Sequence, residues 1–261
     1  MRLADFLPGC HAVLHFGLFV ALLLVETAAP RRPIPGGRAR HVLRHFALNA
    51  LNLLLYGGFA WLAARIGWVQ QRHPFGLLHW LSLPSVISVP LGLLLLDLCD
   101  YSFHRLEHQV PLLWRLHRVH HTDPGLDVTT SLRTHPLALI CCWLYMQAGL
   151  CLLGGSQWLL VLYFGIGAFV SHWQHANVEL VSWRRERVLA WFINTPRVHR
   201  RHHSRAAGDA GCNFSDVLSL WDRLFGTYRG PADDSVRFGV EGYDAPSQQR
   251  LSALLQSPRD R

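Results

Sequence analysis

Long apolar blocks separated by short basic or turn-forming segments dominate the chain, and they define its expected elements. The first block runs from about Leu14 to Ala29. Two longer blocks follow, roughly Phe46–Trp68 and Phe75–Cys99, each with about 20 apolar or small residues, enough for a helix to cross roughly 30 Å of hydrocarbon. Pro84 and Pro90 in the second predict a kink or two joined half-helices, because proline removes a backbone donor and crowds the preceding turn. The block from Pro136 to Val170 is too long for one crossing, and Gly154-Gly155-Ser156-Gln157 divides it into a helical hairpin. Thr27-Ala28-Ala29 resembles a leader-cleavage site. The weakly basic segment before it and the Arg-rich one after it favour a retained helix.

Composition sharpens this pattern. Of 261 residues, 16% are charged, against about a quarter in an ordinary soluble domain. The expected fold is therefore all-α: an integral membrane helical bundle of about four or five transmembrane helices, with a cytoplasmic helical cap. The formal charge of +8 comes from arginines gathered at Arg31–Arg44, around Arg105–Arg133 and from Arg184 onward. Five crossings put all three groups on the cytoplasmic side, with the Val69–Pro74 turn outside, as the positive-inside bias requires. A basic face on a soluble fold, the signature of a nucleic-acid partner, is not what this composition offers. The expected divisions are 1–72, N-terminal transmembrane helices; 73–230, a core; and 231–261, a cytoplasmic C-terminal tail. The six cysteines, Cys10, Cys99, Cys141, Cys142, Cys151 and Cys212, show no paired spacing and read as small buried apolar residues.

Seventeen histidines change the picture from a bundle to a site. Three segments stand out: His104-Arg-Leu-Glu-His108, His117-Arg-Val-His120-His121 and His199-Arg-Arg-His202-His203. A looser fourth is His172-Trp-Gln-His175. On a helix, residues three and four apart share a face, so each segment reads as a one-sided cluster of imidazoles, good ligands for iron, zinc, copper or nickel. An apolar core would not normally hold so many rings, since each brings polar nitrogens needing partners. All four segments end or follow an apolar block, at one depth on the cytoplasmic face. Ten imidazoles exceed one ion's needs and suit two. His11, His15, His41, His45, His73 and His79 read as interfacial, and His135, at the start of the hairpin, reads as a cap or as a residue that orients a ligand.

These segments resemble the fatty acid hydroxylase/sterol desaturase superfamily, membrane non-haem di-iron oxidases, from about Asp97 to Tyr228. The likeness extends through Asp100-Tyr101, Arg133-Thr-His135-Pro136, His175-Ala-Asn177, Asn213-Phe-Ser-Asp216 and Leu220-Trp221-Asp222-Arg223. The resemblance implies His104, His108, His117, His120, His121, His175, His199, His202 and His203 as catalytic metal ligands, with His172 a tenth. It also implies two Fe ions, O2 as co-substrate, and hydroxylation or desaturation of a sterol, fatty acyl lipid or carotenoid. No cytochrome b5-like domain flanks the core, so a separate ferredoxin- or cytochrome b5-like donor is expected. Only eight residues separate His108 from His117, which favours the hydroxylase branch over acyl-CoA desaturases.

An all-imidazole shell supplies no negative charge, so outer carboxylates should orient the rings; Asp100, Glu107, Asp123 and Asp222 are the candidates. The lipid is expected to enter between the Phe75–Cys99 and Pro136–Val170 blocks, where Trp114, Trp143, Trp173 and Trp191 line the way or anchor the interface. Two other classes compete. A membrane metal-ion carrier would place ionisable ligands at the bilayer midplane, and a bis-His haem protein would pair single facing histidines. Here the ligands sit at helix ends and the spans hold few acids apart from Asp97, and the haem reading leaves the HxxHH doublets unexplained.

Overall fold

The computed structural model describes residues 3–206, 208–209 and 211–257, with side chains from residue 14 onward. Cys10 and His11 therefore lie outside the described side chains. The first helix, α1 (Leu3–Ala28), is followed by α2 (Arg38–Arg72), which starts where Gly36 and Gly37 release the chain from a left-handed turn. The Phe75–Cys99 block is two pieces, as its prolines foretold. Helix α3 (Leu77–Leu81) ends on Ser82 in the left-handed region, and α4 (Ser85–Gln109) starts after Pro84 and tolerates Pro90 near its beginning. At about 1.5 Å per residue, α2 and α4 exceed the roughly 30 Å hydrocarbon core, so both project polar turns beyond it. Then come α5 (Pro111–His121), a 3-10 turn over Val128–Leu132, and the hairpin of α6 (Pro136–Leu153) and α7 (Gln157–His175), turned at left-handed Gly154. Four short helices complete the cap: α8 (Trp183–Leu189), α9 (Pro196–His202), α10 (Leu220–Leu224) and α11 (Leu251–Gln256).

The protein is all-helical, with no strand among the described residues beyond two isolated bridges. Three stretches have the length and apolarity to cross a membrane: Arg38–Leu81, Ser85–Gln109 and Pro136–Leu153. Apolar α1 and α7 pack beside each other, and the last turn of α7 is polar. Large side chains on these helices, among them Leu54, Trp61, Val86, Leu144 and Trp158, face outward as a lipid-facing surface. Away from the histidines, α3, α4, α6 and α7 close on Leu78, Leu96, Met146, Leu150, Leu159, Leu160 and Tyr163. The turns at Gly76 (φ +112) and Gly154 press together so closely that a Cβ on Gly76 would lie 2.3 Å from the Gly154 nitrogen. This packing lies between the two blocks where a lipid entrance was expected.

Toward the cap, Phe19 and Leu22 of α1 pack on Val128, Ala176 and Val178, and Leu48 of α2 packs on Val119 and Leu254. Residues 231–257 thus form part of the packed cap, with Gln249 buried and donating to the carbonyls of Thr122 and Tyr243. Of the described cysteines, all unpaired, only Cys212 is fully buried; the other four are half-buried.

Candidate metal centre

Each histidine segment is delivered by a helix end. His104 and His108 occupy the last two turns of α4, which runs past the apolar block without a break. Val110 then adopts an extended conformation, and Pro111 at the first position of α5 restarts the helix that ends on His117, His120 and His121. His175 closes α7, and Pro196 starts α9, which carries His199 and His202 and ends against His203. Nine rings converge as two groups, in each of which one nitrogen per ring lies within 4.8 Å of the others. The first is His104, His108, His117, His121 and His202; the second is His120, His175, His199 and His203.

The two HxxHH segments are shared between the groups, which differs from the expectation that each forms one cluster. His117 and His121 stay together while His120 crosses over; His199 and His203 stay together while His202 crosses the other way. Helix geometry explains this. At 3.6 residues per turn, positions three and four residues on lie about 100° apart, on either side of the first residue. The stacked His121 and His203 rings, with centroids 4.5 Å apart, join the groups. His172 belongs to neither: its Nδ1 meets the Ser131 hydroxyl at 2.9 Å and its ring lies edge-on to Phe19.

Backbone carbonyls settle the orientation of several rings. A carbonyl only accepts, so the Nδ1 atoms of His104, His202 and His175 donate to Phe214 O (2.8 Å), Cys212 O (2.8 Å) and Ser171 O (2.7 Å). In the neutral ring this leaves each Nε2 as a lone pair directed inward. His117 Nδ1 meets Glu107 Oε2 at 3.1 Å. The Nε2 atoms of His104, His108 and His202 are buried with no partner among the described residues. In the second group, Nε2 atoms face one another at 3.0–3.2 Å, from His120 to His175, His175 to His199, and His199 to His203. Ligands bonded at about 2.1 Å and at right angles around one ion lie about 3 Å apart, so this spacing fits a shared cation. Burial, then neighbouring imidazoles, holds His120, His121, His199, His202 and His203 well below the usual imidazole pKa. Neutral rings with convergent lone pairs are what a metal requires.

Of the four carboxylates expected to orient rings, only Glu107 touches one of the nine. Asp222 acts at one remove, accepting from the Phe214 and Ser215 amides (2.8 and 2.9 Å) and so holding the loop whose carbonyl receives His104. Asp100 accepts from the Tyr163 hydroxyl. Asp123 accepts from Thr130 and its own Gly125 amide, beside His41 and His45. His135 caps α6, accepting from the Leu137 amide.

Other residues escaped sequence reasoning. His41 and His45, expected at the interface, are fully buried and gather with Asp127 as a third group. Its chemistry differs. His45 Nδ1 is paired with the Thr129 hydroxyl and its Nε2 with Arg133 Nη1 at 3.1 Å, so a guanidinium stands where a cation would bind. Arg133, fully buried, also donates to Val119 O, Thr122 and Gln249, and burial pushes it down to about 10. Glu26 of α1, also inaccessible, accepts from the Val128 and Asn177 amides and from Arg38. Its one signal in the sequence is a lone acid ending an apolar block. Of the tryptophans, Trp114 lies against the rings of His108, His117 and His121. Trp143 stacks on Phe59, and Trp191 is exposed beneath Arg223.

Comparison with known proteins adds to this geometry. A family model described as fatty acid hydroxylase matches residues 89–227. Ornithine lipid hydroxylase OlsE of Rhizobium tropici is 32% identical over 160 residues, 61% of this chain and 47% of that protein. Alkylglycerol monooxygenase of Danio rerio is 32% identical over 164 residues, 62% of this chain and 35% of that protein. Cholesterol 25-hydroxylase of Rattus norvegicus is 23% identical over 171 residues, 60% and 55% of the two chains. The chain spans about half the length, or less, of the first two. No solved structure matches.

Proposed function

Since the chain belongs to the fatty acid hydroxylase family, we propose that it is a membrane-bound oxidase in which nine histidines hold two iron ions for the O2-dependent hydroxylation of a lipid. The observation carrying this reading is the convergence of His104, His108, His117, His121 and His202 beside His120, His175, His199 and His203. When bound, the iron supplies the activation of O2 needed to attack an unactivated C–H bond, which side chains alone do not achieve. Overall, RH, O2, two electrons and two protons become ROH and water, with the electrons from a ferredoxin- or cytochrome b5-like protein. The named substrates of the relatives, an ornithine lipid, an alkylglycerol and cholesterol, are lipids, and that is the class assigned.

The protein's part is to hold and enclose. Phe214 lies against His104, His108 and His202, and with Trp114 it shields the first group from water. Entry belongs at the corner of α4 and α5. There His108, His117 and Trp114 are only half-buried, and Val110, Leu112 and Leu137 expose an apolar rim to the bilayer. The arginine bias supports a cytoplasmic position for this face. Anaerobically purified protein should contain two irons per chain and no Soret absorption. His120→Ala should insert normally yet lose lipid oxidation; zero iron in the native chain, or normal turnover by the variant, would overturn the reading.

A further inference from the structure

The cap holds a concavity of about 530 Å3 where the segment 32–44, the Pro124–Leu126 turn and residues 236–249 meet. Its wall carries Arg32, Arg40, Arg44, Arg205 and Arg237, opposed within it by one carboxylate, Asp244. Asp244 pairs with Arg205, and Arg32 is held by the carbonyls of Val236 and Asp234. Arg40 and Arg237 have no ion pair among the described residues, and the Nε atoms of Arg44 and Arg205 are buried without a partner. Four arginines thus carry unmet donors or unopposed charge around one hollow. Such a hollow suits an anion, because guanidinium forks match phosphate and carboxylate oxygens.

The hollow is preformed and has an apolar floor. The Arg205 amide donates to Arg237 O (2.8 Å), and Arg32 Nη1 donates to Val236 O (2.8 Å) while its guanidinium lies over Phe238. The Pro124–Leu126 turn fits against Pro35 only because Gly125 has no side chain: a Cβ there would lie 2.9 Å from Pro35 Cδ. Ile34, Leu126, Val236 and Phe238 supply apolar contact. Arg40 and Arg44 sit on the first two turns of α2, just before that helix becomes apolar at Phe46, which sets the hollow at headgroup level. Its volume is that of a small-molecule site, too confined for a docked protein.

We propose that this cleft binds a phosphate- or carboxylate-bearing anion, its charged oxygens held by Arg40, Arg44 and Arg237 beside the Ile34–Phe238 floor. The anion comes either from a bilayer headgroup or from solution. The test uses full-length protein in neutral detergent, titrated with phosphatidylglycerol, with phosphatidylcholine or with inorganic phosphate, and read by native mass spectrometry and thermal unfolding. R40Q/R237Q changes two exposed side chains, and R184Q/R185Q removes the same charge elsewhere. Saturable stabilisation by phosphatidylglycerol but not phosphatidylcholine assigns a headgroup, and equal protection by inorganic phosphate assigns a soluble anion. Either source upholds the proposal if half-saturation weakens about tenfold or more in R40Q/R237Q and is unchanged in R184Q/R185Q. Equal binding by native protein and R40Q/R237Q, an equal loss in both variants, or no binding of either anion overturns it. Iron content should be the same in all three proteins, which separates this outcome from the fate of the metal centre.

Discussion

Glu107 shows how much one side chain decides at this centre. Among the described residues it is the only carboxylate within hydrogen-bond distance of any of the nine histidines, at 3.1 Å from His117 Nδ1. The carboxylate holds the His117 ring and offsets positive charge that nine neutral imidazoles cannot. Glu107→Gln keeps the shape and removes the charge, so iron affinity should fall about 10- to 100-fold, measured by competition with a chelator. Unchanged affinity would reduce Glu107 to a packing residue. The sequence made Glu107 a candidate on proximity alone, but equally offered Asp100 and Asp123, which the fold turns toward Tyr163 and Thr130. Which acid faces which ring depends on how α4 meets α5, and no spacing within one helix contains that. His172 illustrates the same limit: it lies one turn before His175, yet its ring turns to Ser131 and Phe19.

Among the elements, α5 and α9 with its C-cap His203 interlock, each sending two histidines to one group and one to the other. The groups are not equally braced. Acceptors at Phe214, Glu107 and Cys212 fix three rings of the first, and Ser171 O fixes one ring of the second. A chelator should therefore remove one iron from the His120 group before the other, resolved as two phases in iron content over time; a single phase would mean the groups bind alike. The apolar blocks were legible because α2, α4, α6 and α7 are built from them, and the hairpin turn was marked by its glycines. What periodicity could not reveal was the lower cap. Short α11 reads as nothing in isolation, yet Leu254 is buried against Leu48 and Val119, beside His120. Leu254→Ala should cost about 2–5 kcal/mol of cap stability, seen as a lower thermal midpoint, with faster iron loss.

The whole molecule responds to pH through the same rings. In the metal-free chain, His120, His121, His199, His202 and His203 have folded-state pKa values well below the usual 6.5, because burial disfavours the imidazolium. The unfolded chain therefore binds protons first as pH falls. This part of the stability is fully present above about pH 6.5 and is lost on acidification toward the depressed values, by up to about 1.4 kcal/mol per ring per pH unit. Thermal midpoints of iron-free protein should drop between pH 7.5 and 5.5; equal midpoints would mean the rings are already charged in the fold. The sharing of histidines between α5 and α9 has a consequence in time. Neither group is complete until the chain has been synthesised past His202, long after α4 and α5 have emerged. On the proposed reading, iron loading comes late in biogenesis, and a chain truncated before His202 is left without either finished group.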